Sequence, residues 1–269
     1  MSALSERAAR VSRLLRGASG ARGKIAAAKV LASRRGSGGQ ASPVAVPLKG
    51  LGGDVIYVRP GTSDLDNAVD YLSLDIHLPP PEIAAQDLRR VAEIGTNMGA
   101  ALTGLARAYP SAELLGVEPD PGNLAVAELN VARFGARVKL TRAGIWDEDC
   151  RLVVEEAGAH EHGLVVRPAT EDEADSEGLV EARTIDSVLG ERWPDDGPVD
   201  YLHVSIEGSE PRVFAGGGSW PSRVRSLRVE IHPYFGYGAD ECIGQLEALG
   251  YRAWVAPSPP DKWVFAIKR

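Results

Sequence analysis

The 269-residue sequence predicts an α/β fold in which a mainly parallel sheet is wound by helices. Three observations carry this. From Val91 onward, apolar β-type runs alternate with helix-type segments, the pattern of parallel strands joined by crossover helices. The stretch Val91-Ala92-Glu93-Ile94-Gly95-Thr96-Asn97-Met98-Gly99 reads as a buried strand, an acidic glycine turn and a helix start. Finally, Tyr251–Ala256 and Trp263–Lys268 are β-type runs separated by Pro257-Ser258-Pro259-Pro260-Asp261, so the sheet closes on an antiparallel hairpin. This length suits one large α/β domain, residues 44–269, behind an N-terminal appendage, residues 1–43.

The appendage is a basic arm. Arg7, Arg10, Arg13, Arg16, Arg22, Lys24, Lys29, Arg34 and Arg35 face the single acid Glu6, whereas the chain as a whole carries a net charge of −7. Leu4, Val11, Leu14 and Leu15 share one helical face, which favours a packing arm or lid over a polyanion-binding tail or transit peptide. The acidic body would itself attract such a helix. Arg34-Arg35-Gly36-Ser37-Gly38-Gly39 reads as a flexible joint.

Val44–Leu48 and Asp54–Val58 flank Gly50-Leu51-Gly52-Gly53 and predict a β-hairpin. Arg59-Pro60-Gly61-Thr62-Ser63-Asp64 then turns into a helix, with Ser63 placed to cap it and Asp66 in the capping-box position. Strands are expected over 90–94, 113–117, 137–142, 199–206 and 225–231, with helices over 99–108 and 121–134. Cys150–Glu155 and Leu164–Arg167 interrupt the alternation as an inserted hairpin, followed by a solvated acidic loop, Glu171 to Glu177. A helix over 240–249 stops at Gly250.

Composition excludes several classes. Hydrophobic content of 44% and charged content of 25% are ordinary for a globular chain. No apolar run approaches the ~20 residues of a membrane span, and no secretory signal is seen. Cys150 and Cys242 make neither a disulfide framework nor a zinc pattern, so the expected setting is cytoplasmic. No nucleic-acid or membrane partner is expected; a homo-oligomer stays open.

The chemistry concentrates at strand ends. Glu93-x-Gly95-x-x-x-Gly99 differs from the G-x-G-x-x-G of dinucleotide enzymes, because a carboxylate in the turn would repel a pyrophosphate and suit a cationic ligand's amino group. Glu118 ends the next strand about 20 residues past the glycines, where an acid commonly holds a ribose diol. Further on, His203, Ser205 and Glu207 share one strand face, as do Arg228, Glu230 and His232. Singly, each has a structural explanation: a satisfied core histidine, an Arg228–Glu230 ion pair, a Glu207 helix cap. Together they predict a site where His232, or else His203, takes a proton from a hydroxyl while Glu207 and Glu230 orient it. The same His and Glu set could ligate a divalent metal, but the reading kept is metal-free. His160-Glu161-His162 reads as a solvated turn.

These residues resemble the FkbM-type S-adenosylmethionine-dependent methyltransferases from about Val44 to the C-terminus. The resemblance rests on Val58-Arg59-Pro60-Gly61-Thr62-Ser63-Asp64, Glu93–Gly99, Val117-Glu118-Pro119, Arg183-Thr184-Ile185-Asp186, Val204-Ser205-Ile206-Glu207-Gly208-Ser209-Glu210 and Leu227-Arg228-Val229-Glu230-Ile231-His232. It implies a Rossmann-like class I methyltransferase fold with a seven-stranded sheet. It also implies O-methylation of a small hydroxylated molecule, such as a sugar, polyketide or other secondary metabolite, with S-adenosyl-L-methionine as cofactor. By this resemblance Glu93, Gly95, Asn97 and Gly99 line the methionine end, Glu118 and Pro119 the ribose, and Gly144 and Trp146 border the adenine, where Trp146 either stacks on it or is a buried core residue. The family usually shows K-x-D-x-E-G where this chain has His203 and Ser205. That departure leaves the proton acceptor open between His203, His232 and catalysis by alignment alone. N-methylation, a nicotinamide enzyme and a noncatalytic cofactor-binding scaffold are the alternatives.

Overall fold

Two helices, α1 (Ala3–Gly17) and α2 (Gly20–Ala32), open the chain in a computed structural model that describes residues 3–33, 42–156, 164–173, 178–257 and 262–269. The joint Arg34–Gly39, the His160-Glu161-His162 turn, residues 174–177 of the acidic loop and most of the Pro-rich C-terminal turn lie outside the described residues. Strands β1 (Val44–Pro47) and β2 (Val55–Val58) pair antiparallel, and α3 (Asp64–Ser73) follows. Leu14 of α1 is fully buried and packs with Val46, Ile56, Leu65 and Val69, so the arm shares one apolar core with the hairpin and α3. Charge adds direction: Arg10 Nε donates to Asp66 Oδ1 at 2.6 Å, and Arg13 pairs with Asp66 and Asp70.

Asp66 is thus an ion-pair partner of the arm. Ser63, expected as the cap, makes no side-chain cap bond because its backbone is already helical (φ −84°, ψ 0°). Thr62 Oγ1 instead accepts from Asp64 N at 3.2 Å.

The alternating segment runs β3 (Arg90–Ile94), α4 (Ala100–Ala108), β4 (Glu113–Glu118), α5 (Pro121–Val131) and β5 (Val138–Arg142). Next come β6 (Gly144–Ile145), β7 (Arg151–Glu156), β8 (Leu164–Pro168) and β9 (Val180–Arg183). Together these last four form their own sheet in the order β6-β9-β7-β8, so the expected hairpin is two strands larger than the sequence showed. The acidic loop is also less free than expected at its start, since Arg167 holds Glu173 at 2.8 Å. The chain then returns through α6 (Ile185–Arg192), β10 (Tyr201–Val204), α7 (Glu210–Ala215), α8 (Trp220–Arg223), β11 (Ser226–Glu230), α9 (Ala239–Ala248), β12 (Tyr251–Val255) and β13 (Trp263–Lys268).

The central sheet has seven strands in the order β12-β13-β11-β10-β3-β4-β5. All are parallel except the closing hairpin, in which β13 runs antiparallel to both β11 and β12. Val91, Ala92 and Ile94 of β3 are fully buried, as expected for a strand covered on both faces. The chain moves outward from β3 through β4 to β5 and later restarts at β10 on the other side of β3. That reversal opens a crevice at the carboxyl ends of β3 and β10, the usual ligand position in such sheets. β10 ends at Val204, two residues short of the predicted 199–206 stretch. Ser205 N still bonds Ile94 O at 3.0 Å. After that, left-handed backbone at Glu207 (φ 48°) and Gly208 (φ 88°) turns the chain away. No helix among the described residues is long and apolar enough to cross a membrane.

Candidate functional site

A cleft of about 1200 Å³ lies over these strand ends, between the central sheet and α3, with Arg10 and Arg13 of the arm at its rim. Glu93, Gly95, Asn97, Glu118, Pro119 and Gly144 line one part; Ser205, Glu207, Glu230 and His232 line another. Four separate strand ends therefore converge on one space, which the sequence presents as scattered segments.

The glycine turn is shaped by backbone crowding. Gly95 (φ +83°) sits so close to β10 that a Cβ would fall 1.6 Å from Ser205 O. Its bareness serves the contact between two strands, rather than an approach to ligand alone. Gly99 (φ +81°) caps α4, and its Cβ would press on Ala127 at 3.1 Å. Between them Asn97 is also left-handed (φ 49°), a conformation that costs energy in a non-glycine residue and recurs at functional sites. This geometry turns Asn97 N toward Glu118 Oε2 at 2.7 Å.

Glu118, buried at the tip of β4, also accepts from Asp120 N at 3.0 Å and Asn123 Nδ2 at 3.1 Å. Burial pushes its pKa up, against the pull of Asn123 and the two backbone donors. A carboxylate has about four acceptor positions, so one stays available for an incoming hydroxyl, and a full diol would need a donor to yield. Asn123 Oδ1 in turn accepts from Arg59 Nη2 at 2.7 Å, and Arg59 pairs with Asp64 at 2.8 Å. The Arg59–Asp64 turn is thus wired to Glu118 through Asn123, a residue the sequence reading missed because nothing marks it before the fold brings β4 and α3 together.

Glu93 lies on the cleft wall, where burial raises its pKa well above the ordinary carboxyl value. It meets Thr96 Oγ1 at 3.4 Å and His203 Nδ1 at 3.6 Å, both long contacts. A buried carboxyl so weakly engaged has room for a cationic partner, whose charge would draw it into the ionised form.

His203 does not reach the cleft. It is fully buried, its ring 5.1 Å from Trp263 and 5.9 Å from Tyr71. Burial, then the Arg228 charge, holds its pKa well below the usual histidine value. Arg228 beside it donates to the carbonyls of Asp75 and Leu78, each at 3.2 Å, and stacks over Trp263 and Phe265. Two of the six residues on the polar face read from the sequence, His203 and Arg228, are therefore structural. The site begins one step further along each strand, at Ser205 and Glu230, where Ser205 Oγ donates to Glu230 Oε2 at 2.7 Å.

His232 does line the cleft, but in the wrong protonation state for a base. Burial alone would lower its pKa; the hydrogen bond and charge of Glu210, with Glu230 and Glu207, reverse this and raise it to about 9. At neutral pH it is an imidazolium, with Nδ1 3.0 Å from Glu210 Oε1 and Nε2 3.4 Å from Glu207 Oε2. Glu207 moves the other way from its ordinary value: burial first, then Glu230 and Glu210, push it to about 7 against the opposing pull of His232. A carboxyl at that value can accept a proton near neutral pH. Of Glu207, His203 and His232, Glu207 is the one that lines the cleft with its pKa brought near neutrality. Tyr71, Lys262 and Glu210 join the site, none of them expected as a catalytic or cofactor-binding residue.

Trp146 lies off the large cleft. It sits under Arg212, whose guanidinium is 5.2 Å from its ring, beside a separate small hollow. It packs with Leu152 of β7 and Val180 and Ala182 of β9, and is not among the residues lining the cleft. Ala143, Gly144 and Ile145 border the cleft at that end. Among the described residues, no group of three or more His, Cys, Asp or Glu side chains is arranged to hold a metal ion.

Comparison with known proteins adds a family. The model of the methyltransferase FkbM domain matches residues 93–253. A release factor glutamine methyltransferase from Geobacter sulfurreducens is 39% identical over 57 residues, a match that spans 20% of that protein and 21% of this chain. Among solved structures, the precorrin-6y C5,15-methyltransferase of Geobacter metallireducens aligns over 75% of this chain and 88% of its own, at 14% identity and a TM-score of 0.42. The O-methyltransferase TomG of Streptomyces achromogenes, in complex with S-adenosylmethionine, aligns over 77% and 81%, at 15% identity and a TM-score of 0.40. With scores this low, the fold rests on the strand order itself.

Proposed function

The chain belongs to the FkbM methyltransferase family, and we propose that it transfers a methyl group from S-adenosyl-L-methionine to a hydroxyl of a small molecule. One observation carries this reading. A single cleft joins the Glu93–Gly99 turn and Glu118 at one part to Glu207, Glu230 and His232 at another. The residues present fit the cofactor: Glu118 keeps a spare acceptor position for a ribose hydroxyl, and the buried Glu93 suits the amino group of the methionine end. Bound there, the cofactor supplies an electrophilic methyl on a sulfonium, whose S–C bond breaks as the new O–C bond forms.

The chain's own residues supply alignment and a proton acceptor. Alignment can lower a barrier of this kind by ~7–11 kcal/mol. Glu207, held near pKa 7, takes the proton that the acceptor hydroxyl loses. This favours oxygen over nitrogen as the acceptor atom, because a neutral amine attacks through its free lone pair and needs no base to do so. Glu230, bonded by Ser205 Oγ and approached by Tyr71 Oη at 3.4 Å, is placed to orient the acceptor's other hydroxyls. Polyhydroxylated molecules of the secondary-metabolite or sugar type fit such a wall of carboxylates and hydroxyls. The test is incubation with methyl-labelled S-adenosylmethionine and a panel of small polyols and phenols, followed by identification of the labelled bond. Label in an O–CH3 group supports the reading. Label on nitrogen, or tight NAD binding with no response to S-adenosylmethionine, overturns it.

A further inference from the structure

Glu210 is a carboxylate with no exposed surface at all, at the first position of α7. A buried charge of this kind persists only where donors surround it. Glu210 has three. Its Oε1 accepts from Ile206 N at 3.1 Å and lies 3.0 Å from His232 Nδ1, and its Oε2 accepts from Gly208 N at 2.8 Å. The two backbone donors lie on either side of Glu207 in the chain. Glu207 itself is a non-glycine residue in left-handed backbone (φ 48°), which survives only where the surroundings hold it. One carboxylate thus closes the turn that presents Glu207 and grips the far side of the imidazole that faces Glu207.

We propose that Glu210 is a positioning residue for methyl transfer: by clamping the Ile206 and Gly208 N–H groups and His232 Nδ1 together, it aims the Glu207 carboxyl into the cleft and keeps His232 Nε2 turned toward it as a donor. The proposal rests on the reading of this cleft as a methyltransferase site in which Glu207 receives the hydroxyl proton. Other charges reach His232 from around it. Glu207 lies in the same turn, Glu230 ends β11, and Lys262 borders the cleft ahead of β13; the Phe235 ring stands 6.3 Å away. Among these, Glu210 has the shortest contact to the imidazole, and it alone also bonds the backbone on both sides of Glu207.

The experiment follows the His232 imidazole by NMR across pH in the full chain, wild type and Glu210→Gln, with S-adenosylhomocysteine binding measured by calorimetry alongside. The expected wild-type midpoint is near 9. In Glu210→Gln it falls by about two units toward the ordinary ~6.5, roughly a 100-fold loss of proton affinity, while S-adenosylhomocysteine affinity stays within about twofold. Glu210→Asp, which keeps the charge, recovers most of the midpoint. A midpoint that stays near 9 in Glu210→Gln overturns the proposal. If that variant does not fold, a wild-type midpoint near 6.5 overturns it equally. Failure of the wild type to bind S-adenosylhomocysteine would sink the methyltransferase reading instead, and would leave the His232 midpoints to decide the link to Glu210.

Discussion

Replacing Gly95 by alanine tests how the site is built, and its cost can be worked from two separable terms. The first is backbone: at φ +83° an alanine sits in left-handed space, at about 1–2 kcal/mol. The second is collision. The new Cβ would lie 1.6 Å from Ser205 O and 2.7 Å from Ser205 C, against the ~3.5–4.0 Å of ordinary nonbonded contact. To relieve it, the ends of β3 and β10 must part by about 2 Å, which breaks the Ser205 N to Ile94 O bond and costs about 1 kcal/mol or more. It also strains the Gly95 N and Thr96 N bonds to Val117 O, both 3.0 Å. The sum is about 3–5 kcal/mol, a large share of a typical domain's 5–15 kcal/mol. Gly236→Ala is the control. Its φ is +75°, but nothing lies within 4 Å of the added Cβ, so it carries the backbone term alone. Urea unfolding of both variants reads the difference. Gly95→Ala should lose about 2–3 kcal/mol more than Gly236→Ala and should lose S-adenosylhomocysteine binding. Equal stabilities would refute the claim that Gly95 is fixed by its closeness to β10.

Three further outcomes follow from the same geometry. Glu118→Gln replaces a carboxylate that accepts three hydrogen bonds with an amide that must turn an NH2 toward one of those donors. Calorimetry should show S-adenosylhomocysteine binding about 10–100-fold weaker, and unchanged affinity would remove Glu118 from the ribose role. Glu207→Gln should lower kcat by about 10²–10⁴-fold. The wild-type rate should rise as pH passes through about 7, because the acceptor form of Glu207 grows there; a flat profile would count against it. The sign carries into stability: a carboxyl whose folded pKa is raised disfavours folding above its unfolded value. The wild-type thermal midpoint should therefore fall relative to Glu207→Gln as pH rises from about 4.5 to 7. Asp66→Ala removes the Asp66 pairs of Arg10 and Arg13 and leaves Arg13 its Asp70 contact; it should cost about 1–2 kcal/mol and should speed proteolysis within α1.

What the sequence shows, and what it hides, follows the range of the interactions. The alternation after Val91, the glycine turn and the closing hairpin are local patterns, and each appears in the structure at nearly the expected residues. The packing of α1 was legible from its apolar face and basic charge, which meet Leu65, Val69 and Asp66. The histidines were not. His203 sits inside β10, level with Arg228, and His232 lies two residues past the end of β11; one is walled in by Tyr71 and Trp263 and the other is held between two glutamates. Only the three-dimensional surroundings decide which carries a proton. The clamp made by Glu210 is hidden for the same reason: its partners Ile206 and Gly208 are near in sequence, but His232 arrives from beyond the end of β11. Of the two places open to Trp146, beside the adenine or in the core, the structure shows packing against β7 and β9, an insertion whose pairing no local pattern revealed.

The central claim is that the cofactor lies along this cleft with its reactive end facing Glu207. A crystal structure with S-adenosylhomocysteine tests it most directly. The account predicts the ribose hydroxyls at Glu118, the amino group near Glu93, and the sulfur opening onto the space bounded by Glu207, Glu230 and His232. A sulfur turned toward Arg10 and Arg13, or a ligand bound away from Glu118, would contradict it.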